Sequence, residues 1–328
     1  MKRGALPALL LALLAPCPAA AGLQALRPLP TNQGSYGESF TFIGDLDDGT
    51  YLQLTLALTN FGPGGIKAIC RALVVAPGAK PWNASTRVGN DGWKWSDADE
   101  ERLAIGPCAA SVDERETSVE VPLEGGRVKL VFAARPLKRS LVHDAVVVVE
   151  GNLYRTEVRL FRASVTATLA LPGQPARTVA GAGFADHTRS AIRPKDLFES
   201  WVRFRGLRGE RGLLLLGRQG RDRAFKPLWA CEDRDRCREF QGYEIRRLGA
   251  GKAPAFEVAL TGPDRGLPLL VKSGALLYRD APVEDLGILG KLVAPIVGSP
   301  VTYVYRGTAH DGAGSPIEGI LEVEVAGE

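Results

Sequence analysis

The chain reads as all-β, built from two consecutive antiparallel barrels of short strands. Three observations carry this reading. Apolar and polar residues alternate with a period of two in segment after segment, the pattern of strands with one buried face. Turn signals containing glycine separate these segments at short spacing, which suits antiparallel barrels or sandwiches and not alternating strands and helices. A Pro172-Gly173-Gln174-Pro175 break falls in mid-chain. It leaves about 150 residues on either side, enough for a core in each half.

Residues 1–21 begin with Lys2 and Arg3, continue through an apolar stretch from Leu6 to Ala15 and end in Ala19-Ala20-Ala21. This is the pattern of a secretory signal peptide cleaved near Ala21, with export to the periplasm or the cell exterior as its consequence. The apolar stretch is shorter than the ~20 residues a membrane-crossing helix needs. Without the leader, Lys+Arg falls from 41 to 39 against 37 Asp+Glu, a formal charge of +2. That balance gives no reason to expect nucleic acid or a strongly anionic partner. Arg189, Arg193, Arg203, Arg205, Arg208, Arg211 and Arg218 crowd the second half. They read as solvated strand edges and turns in preference to a binding patch.

Residues 22–34 form an N-terminal arm, and the first barrel spans 35–172. Asp47-Asp48-Gly49 is a tight hairpin turn. In Tyr51–Asn60, which follows it, Leu52, Leu54, Leu56 and Leu58 alternate with Gln53, Thr55, Ala57 and Thr59. Further strands are expected at Lys67–Ala76, Thr117–Val121, Arg127–Ala133, Ala145–Glu150, Tyr154–Phe161 and Ser164–Leu171. Residues 173–178 are the expected linker, and the second barrel takes 179–328. Its strands fall around Val179–Phe184, Glu199–Arg205, Gly212–Gly217, Tyr243–Leu248, Phe256–Thr261, Leu269–Val271, Ala275–Tyr278, Val301–Arg306 and Ile317–Val325. One short helix is expected between Asp280 and Ala294, with Asp280 as cap, Pro282 in the first turn and Leu286, Leu289, Leu292 and Val293 on its apolar side.

Cleavage of the leader removes Cys17 and leaves Cys70, Cys108, Cys231 and Cys237. An even number in an exported chain reads as two disulfides. Pairing Cys70 with Cys108 and Cys231 with Cys237 keeps each bond within one half. A zinc site is the alternative, disfavoured because no histidine lies near the second pair.

The three histidines each have an aspartate beside them, in His143-Asp144, Asp186-His187 and His310-Asp311, but their scatter gives no ligand spacing. Neither metal nor cofactor is expected. No Gly-x-Ser-x-Gly elbow, phosphate-binding Gly-x-x-x-x-Gly-Lys loop or His-Glu-x-x-His pair occurs. If the chain is an enzyme, Asp186 and His187 are the candidates, Asp186 as an acid whose pKa burial raises. On an extended strand the two point to opposite faces, so they share a cavity only across a bulge. The preferred reading makes Asp186 an acceptor for arginine or backbone groups at the domain junction and His187 a half-buried strand residue. For an apolar ligand the aromatic walls are the natural contacts. Trp93 and Trp95 on one strand face come first, then Trp201, with Phe184, Tyr303 and Tyr305.

Gly181, Gly183, Phe184, Asp186 and His187 resemble the Gly-x-Gly-Tyr-x-Asp-His segment of tandem lipocalin-like proteins, a group that includes carotenoid 1,2-hydratases and fungal survival-factor lipid-transfer proteins. Thr188-Arg189-Ser190 stand where the hydratase branch carries Asn-Trp-Gly. Residues 39–60 are similar to the opening hairpin of the survival-factor branch. The resemblance implies two lipocalin-like barrels and an exported carrier for an apolar lipid, whether long-chain lipid, sphingolipid or isoprenoid, in transient contact with membranes. It also leaves open an isoprenoid hydratase or isomerase using Asp186, and a structural or adhesion module without ligand. No oligomeric state follows from it.

Overall fold

The computed structural model describes residues 24–32, 35–60, 65–98, 100–142, 145–220, 228–232, 236–240, 243–260, 269–281, 299–310 and 314–325. The expected leader at 1–21 lies outside these residues. So does the expected helix, apart from Asp280 and Ala281.

The described chain forms two antiparallel, nearly closed sheets, one of 12 strands and one of nine. The first contains β1 (Gly37–Leu46), β2 (Tyr51–Thr59), β3 (Lys67–Val75), β4 (Trp82–Val88), β5 (Trp93–Ser96) and β6 (Glu101–Ile105). It continues with β7 (Cys108–Val112), β8 (Thr117–Leu123), β9 (Gly126–Phe132), β10 (Val146–Val149), β11 (Asn152–Ala170) and β12 (Arg177–Ser190). Its strands run in the order β4-β3-β2-β1-β12-β11-β9-β8-β7-β6-β5, with β10 paired to β11. A short helix, α1 (Pro194–Leu197), precedes the second sheet. That sheet contains β13 (Ser200–Gly206), β14 (Leu213–Gln219), β15 (Leu228–Cys231), β16 (Cys237–Phe240) and β17 (Tyr243–Leu248). Its remaining strands are β18 (Ala255–Leu260), β19 (Leu270–Asp280), β20 (Val301–His310) and β21 (Ile317–Val325), in the order β16-β15-β14-β13-β21-β20-β19-β18-β17. Asp280, expected to cap a helix, closes β19.

Strand pairing moves the expected boundary. β12 pairs with β1 and β11, so the first sheet runs to Ser190 and the chain crosses to the second sheet through 191–199. The Pro172–Pro175 stretch is the turn that joins β11 to β12. Proline and glycine mark where a strand stops, but they mark a hairpin and a linker alike. The two strands expected at Tyr154–Phe161 and Ser164–Leu171 are one 19-residue strand, β11, broken by register shifts between Val158 and Leu160 and between Phe161 and Ala163. At the second shift Arg162 adopts a φ of 56°. Its guanidinium donates to the carbonyls of Leu207 at 3.3 Å and Glu210 at 3.2 Å, and to that of Gly209. The bulge thus re-aims one side chain onto the turn between β13 and β14, and that contact offsets the strained backbone.

Among the described residues three apolar clusters hold the molecule. One fills the first sheet around Leu52, Leu54, Leu130 and Phe132, and another fills the second around Phe204, Leu321, Val323 and Tyr305. The third lies between the sheets, where Ile43, Tyr51 and Phe184 of the first meet Leu214, Val304 and Ile320 of the second. A large apolar side chain buried this way contributes about 1.5–3 kcal/mol. Both disulfides pair as the spacing suggests. Cys70 on β3 meets Cys108 on β7 inside the first sheet, with Cα atoms 6.4 Å apart, and Cys231 and Cys237 face each other across β15 and β16. In the loop-closure picture the first, spanning 38 residues, contributes about 4 kcal/mol and the second, spanning six, about 2. Two disulfides fit an oxidising compartment. Among the described residues no helix is long and apolar enough to cross a membrane.

Candidate functional site between the sheets

The site is organised by β12, which lies in unbroken register against β1 from Gly37 opposite Ser190 to Leu46 opposite Gly181. Its glycines answer to close approach. A Cβ on Gly181 would strike the β1 backbone at Asp45 and Leu46, and one on Gly183 would strike the Phe132 ring. Because no bulge interrupts β12, alternate residues take opposite faces. Phe184 and Asp186 face the second sheet, whereas Ala185 and His187 face the interior of the first, so the Asp186 and His187 side chains point apart.

Asp186 is buried, with its carboxylate 3.8 Å from Arg203 Nη1. On the other face His187 stacks on Phe40 with ring centroids 4.2 Å apart, and its Nε2 is 2.6 Å from Glu38 Oε1. Tyr36 donates its hydroxyl, and Leu29 its backbone N–H, to the other oxygen of Glu38. Burial alone would raise the Glu38 carboxyl, but the imidazole, the phenol and that N–H together hold it below its ordinary value.

Above Arg203 the two sheets diverge into a cleft of ≈ 410 Å³. Leu58, Ile192, Leu197, Phe198 and Trp201 give it apolar walls, and Tyr154, Arg203, Arg218 and Glu324 are among the polar groups in its lining. Tyr154 is placed there by the first part of β11, where Tyr154 and Val158 face the second sheet. The Arg218 guanidinium lies 3.9 Å above the Tyr154 ring and donates to its hydroxyl, which also shares a hydrogen bond of 2.7 Å with Thr156 Oγ1. Burial on its own would raise the Tyr154 phenol. The charges of Arg218 and Arg203 and the Thr156 hydroxyl outweigh it and bring the phenol below its usual value. Glu324 moves the opposite way. Burial pushes its carboxyl above the ordinary range, although Thr302 donates to it at 2.7 Å and Trp201 donates through its indole N–H. The cleft lining therefore includes a phenol made more acidic and a carboxyl made less so.

The other residues singled out from the sequence lie elsewhere. Trp93 and Trp95 pack on the core of the first sheet from β5, where Trp95 Nε1 donates to Glu101 at 3.3 Å and carries Arg27 over its ring. Tyr303 and Tyr305 face inward in the second sheet, the first tilted and the second edge-on against Phe256. Phe184 is buried between the sheets under the Arg205 guanidinium, 4.8 Å from its ring. Trp201 alone of the eight lines the cleft, and Asp186 reaches it only through Arg203. Tyr154, Arg203, Arg218 and Glu324 were not anticipated as a site. The arginines were expected on solvated edges, yet Arg205 and Arg218 are buried and the Arg203 side chain is 14% exposed. Among the described residues no group of three or more His, Cys, Asp or Glu is arranged to hold a metal ion.

No protein-family model and no curated protein sequence matches the chain. Solved structures do. The AttH-type protein of Nitrosomonas europaea superposes with a TM-score of 0.61 at 12% identity, over 93% of this chain and 99% of that one. The fold is tandem lipocalin-like. CghA in complex with Sch210972 follows with a TM-score of 0.56 at 12% identity, covering 89% of each chain. Kievitone hydratase of Nectria haematococca gives 0.53 at 10% identity, over 94% of this chain and 93% of its own. At these identities the likeness is one of fold, and the chemistry must be argued from the cleft itself.

Proposed function

We propose that this chain is an exported carrier that holds an apolar small molecule, of long-chain lipid, sphingolipid or isoprenoid class, in the cleft between its sheets. The cleft carries the proposal. Its volume of ≈ 410 Å³ and its largely apolar exposed wall, with Tyr154, Arg203, Arg218 and Glu324 among its polar lining, suit an apolar body with an oxygen-bearing head. The resemblance to the survival-factor proteins points the same way.

Protein purified without detergent and extracted into organic solvent should yield an intact lipid. Titration with apolar acids or alcohols of increasing chain length should quench tryptophan emission, and Trp201→Phe should remove most of the change. Each methylene buried contributes about 0.8 kcal/mol, so affinity should rise several-fold per added methylene until the cleft is full. A response flat in chain length would overturn the proposal.

The opposed shifts of Tyr154 and Glu324 favour a second reading, an acid–base enzyme acting on an isoprenoid or related apolar substrate. Glu324, its carboxyl raised by burial, would act as the acid and Tyr154, its phenol lowered, as the base, with Arg218 and Arg203 stabilising oxyanion character. One fold neighbour is a hydratase and another is solved with a small molecule bound. Recovery of a chemically altered product, made by the parent and reduced about 10²–10⁴-fold in Tyr154→Phe, would establish this reading over the carrier.

A further inference from the structure

A second cavity, of ≈ 250 Å³, opens on the opposite face of β12 from the cleft. The N-terminal arm crosses it. Ala25 and Leu26 donate their backbone N–H groups to Glu101 at 2.8 and 2.7 Å, and Leu29 donates to Glu38 at 2.8 Å. The wall contains Arg27, Arg155, Glu157, Arg159, His187 and Arg189.

Four guanidiniums thus face a space that offers one carboxylate. Glu157 is already engaged, accepting from Arg159 and pairing with Arg155 at 3.0 Å, with His187 Nδ1 3.8 Å away. Glu38 stands opposite Arg189 in the β1–β12 register, but its oxygens are taken by His187, Tyr36 and Leu29. Among the described residues no carboxylate is left to pair with Arg189. Arg155 and Arg189 are themselves directly opposite across β11 and β12. Like charges in that relation destabilise a ladder unless something between them compensates. Arg159 is held in place by the Leu137 carbonyl at 3.1 Å, so part of the array is set before any ligand arrives.

We propose that this cavity is a binding site for a small oxyanion, a carboxylate or phosphate group, received by Arg189 and Arg155 and completed by Arg27 and Arg159. A guanidinium presents paired N–H donors that match two oxygens of such a group, and the match is strongest where water is partly excluded. The volume falls below the usual range for drug-sized ligands, so the occupant is a phosphate, a small polycarboxylic acid or the head of a larger molecule whose remainder stays outside. The site opens on the other side of β12 from the cleft, and Glu38, which is bonded to His187, also lines the cleft.

The test uses the mature protein with inorganic phosphate and citrate as probes, and vesicles of phosphatidylcholine with and without phosphatidic acid. Only three imidazoles are present. His143→Gln and His310→Gln assign two of the proton signals and leave the third to His187. Saturable movement of the His187 signal with phosphate or citrate, weakened ten-fold or more in Arg189→Gln and unchanged in the remote Arg246→Gln, is the expected result and identifies a free anion. Binding confined to phosphatidic acid vesicles, and lost in Arg189→Gln, identifies a lipid head and equally supports the site. Arg189→Gln should also melt higher than the parent without anion and lose the stabilisation that phosphate confers on the parent. If that variant does not fold, Arg155→Gln takes its place. A His187 signal that stays still in millimolar phosphate and citrate, with no preference for acidic vesicles, overturns the proposal. So does undiminished binding in Arg189→Gln. Either failure leaves the cleft reading untouched, because chain-length titration reports on the other face.

Discussion

Inside each sheet the packed side chains are almost all apolar, with Glu38 and Glu101 confined to the end where the N-terminal arm crosses. Between the sheets, equally buried space holds Arg205, Glu322, Asp45, Asp186 and Arg218 beside Phe184, Leu214 and Ile320. An interior needs only to exclude water, and apolar alternation on short strands suffices. The layer between must also fix one sheet against the other, and apolar contact alone is indifferent to small slides. Arg306 bound to Asp45 at 2.6 Å and to the Gly49 carbonyl at 2.7 Å, and Arg71 bound to Asp280 at 2.7 Å, are directional and tolerate no such slide. The same layer opens into the cleft. Buried charge therefore sits where the molecule has its candidate chemistry, and the filled interiors serve as scaffold.

The largest effect should come from leaving one of these charges alone. Glu322→Leu strands the fully buried Arg205 guanidinium and should cost about 3–5 kcal/mol, whereas Arg205→Met with Glu322→Leu should return most of that loss. Chemical denaturation of the two proteins decides it. A single variant within about 1 kcal/mol of the parent would mean that the intersheet layer behaves like the interiors, and the contrast between them would fall.

Asp186→Asn should have a smaller effect, about 1–3 kcal/mol, because the Arg203 guanidinium beside it keeps some contact with solvent. Its denaturation midpoint should fall while apolar ligand binding in the cleft persists. If instead the variant keeps its stability and loses a hydrated product that the parent makes, Asp186 is an acid and the hydratase alternative replaces the carrier.

These expectations mark how far the residues could be read in advance. The alternation of Leu52, Leu54, Leu56 and Leu58 announces a strand with one buried face, and both cysteine pairs follow from proximity. The charged layer was harder to see, although its pattern is present. Arg203 and Arg205 alternate with Val202 and Phe204, and Glu322 and Glu324 with Leu321 and Val323. A period of two says that the faces differ, but it cannot distinguish a face that meets water from one that meets a second charged sheet. The opposite signs of those two strands, adjacent in the sheet through Trp201–Glu324 and Arg203–Glu322, were the available clue. The boundary was misplaced for a related reason, since local turn chemistry carries no record of which distant strand comes next. Tyr154 stood in a recognisable strand, yet nothing local distinguishes it from any tyrosine, because its perturbation comes from Arg218 and Arg203 across the sheets.

The smallest predicted effect is a difference of sign between two carboxyls, one on each side of β12. Glu38, facing the first interior, is held below its ordinary value, so it contributes stability that is present above the unfolded carboxylate pKa and lost as pH falls through the folded one. Glu324, in the cleft, is raised by burial, so its contribution is present below the unfolded value and lost as pH rises through the folded one. Replacing each by Gln removes one proton-binding step and leaves the fold otherwise comparable. Relative to the parent, Glu38→Gln should flatten the loss of stability on the acid side, and Glu324→Gln should flatten the decline that follows as pH rises from there toward neutrality. Denaturation midpoints across the acid and neutral range for all three proteins give the comparison. The same sign in both variants would mean that Glu324 is ionised and satisfied like Glu38, and the cleft would then lack the protonated carboxyl on which its acid–base reading depends.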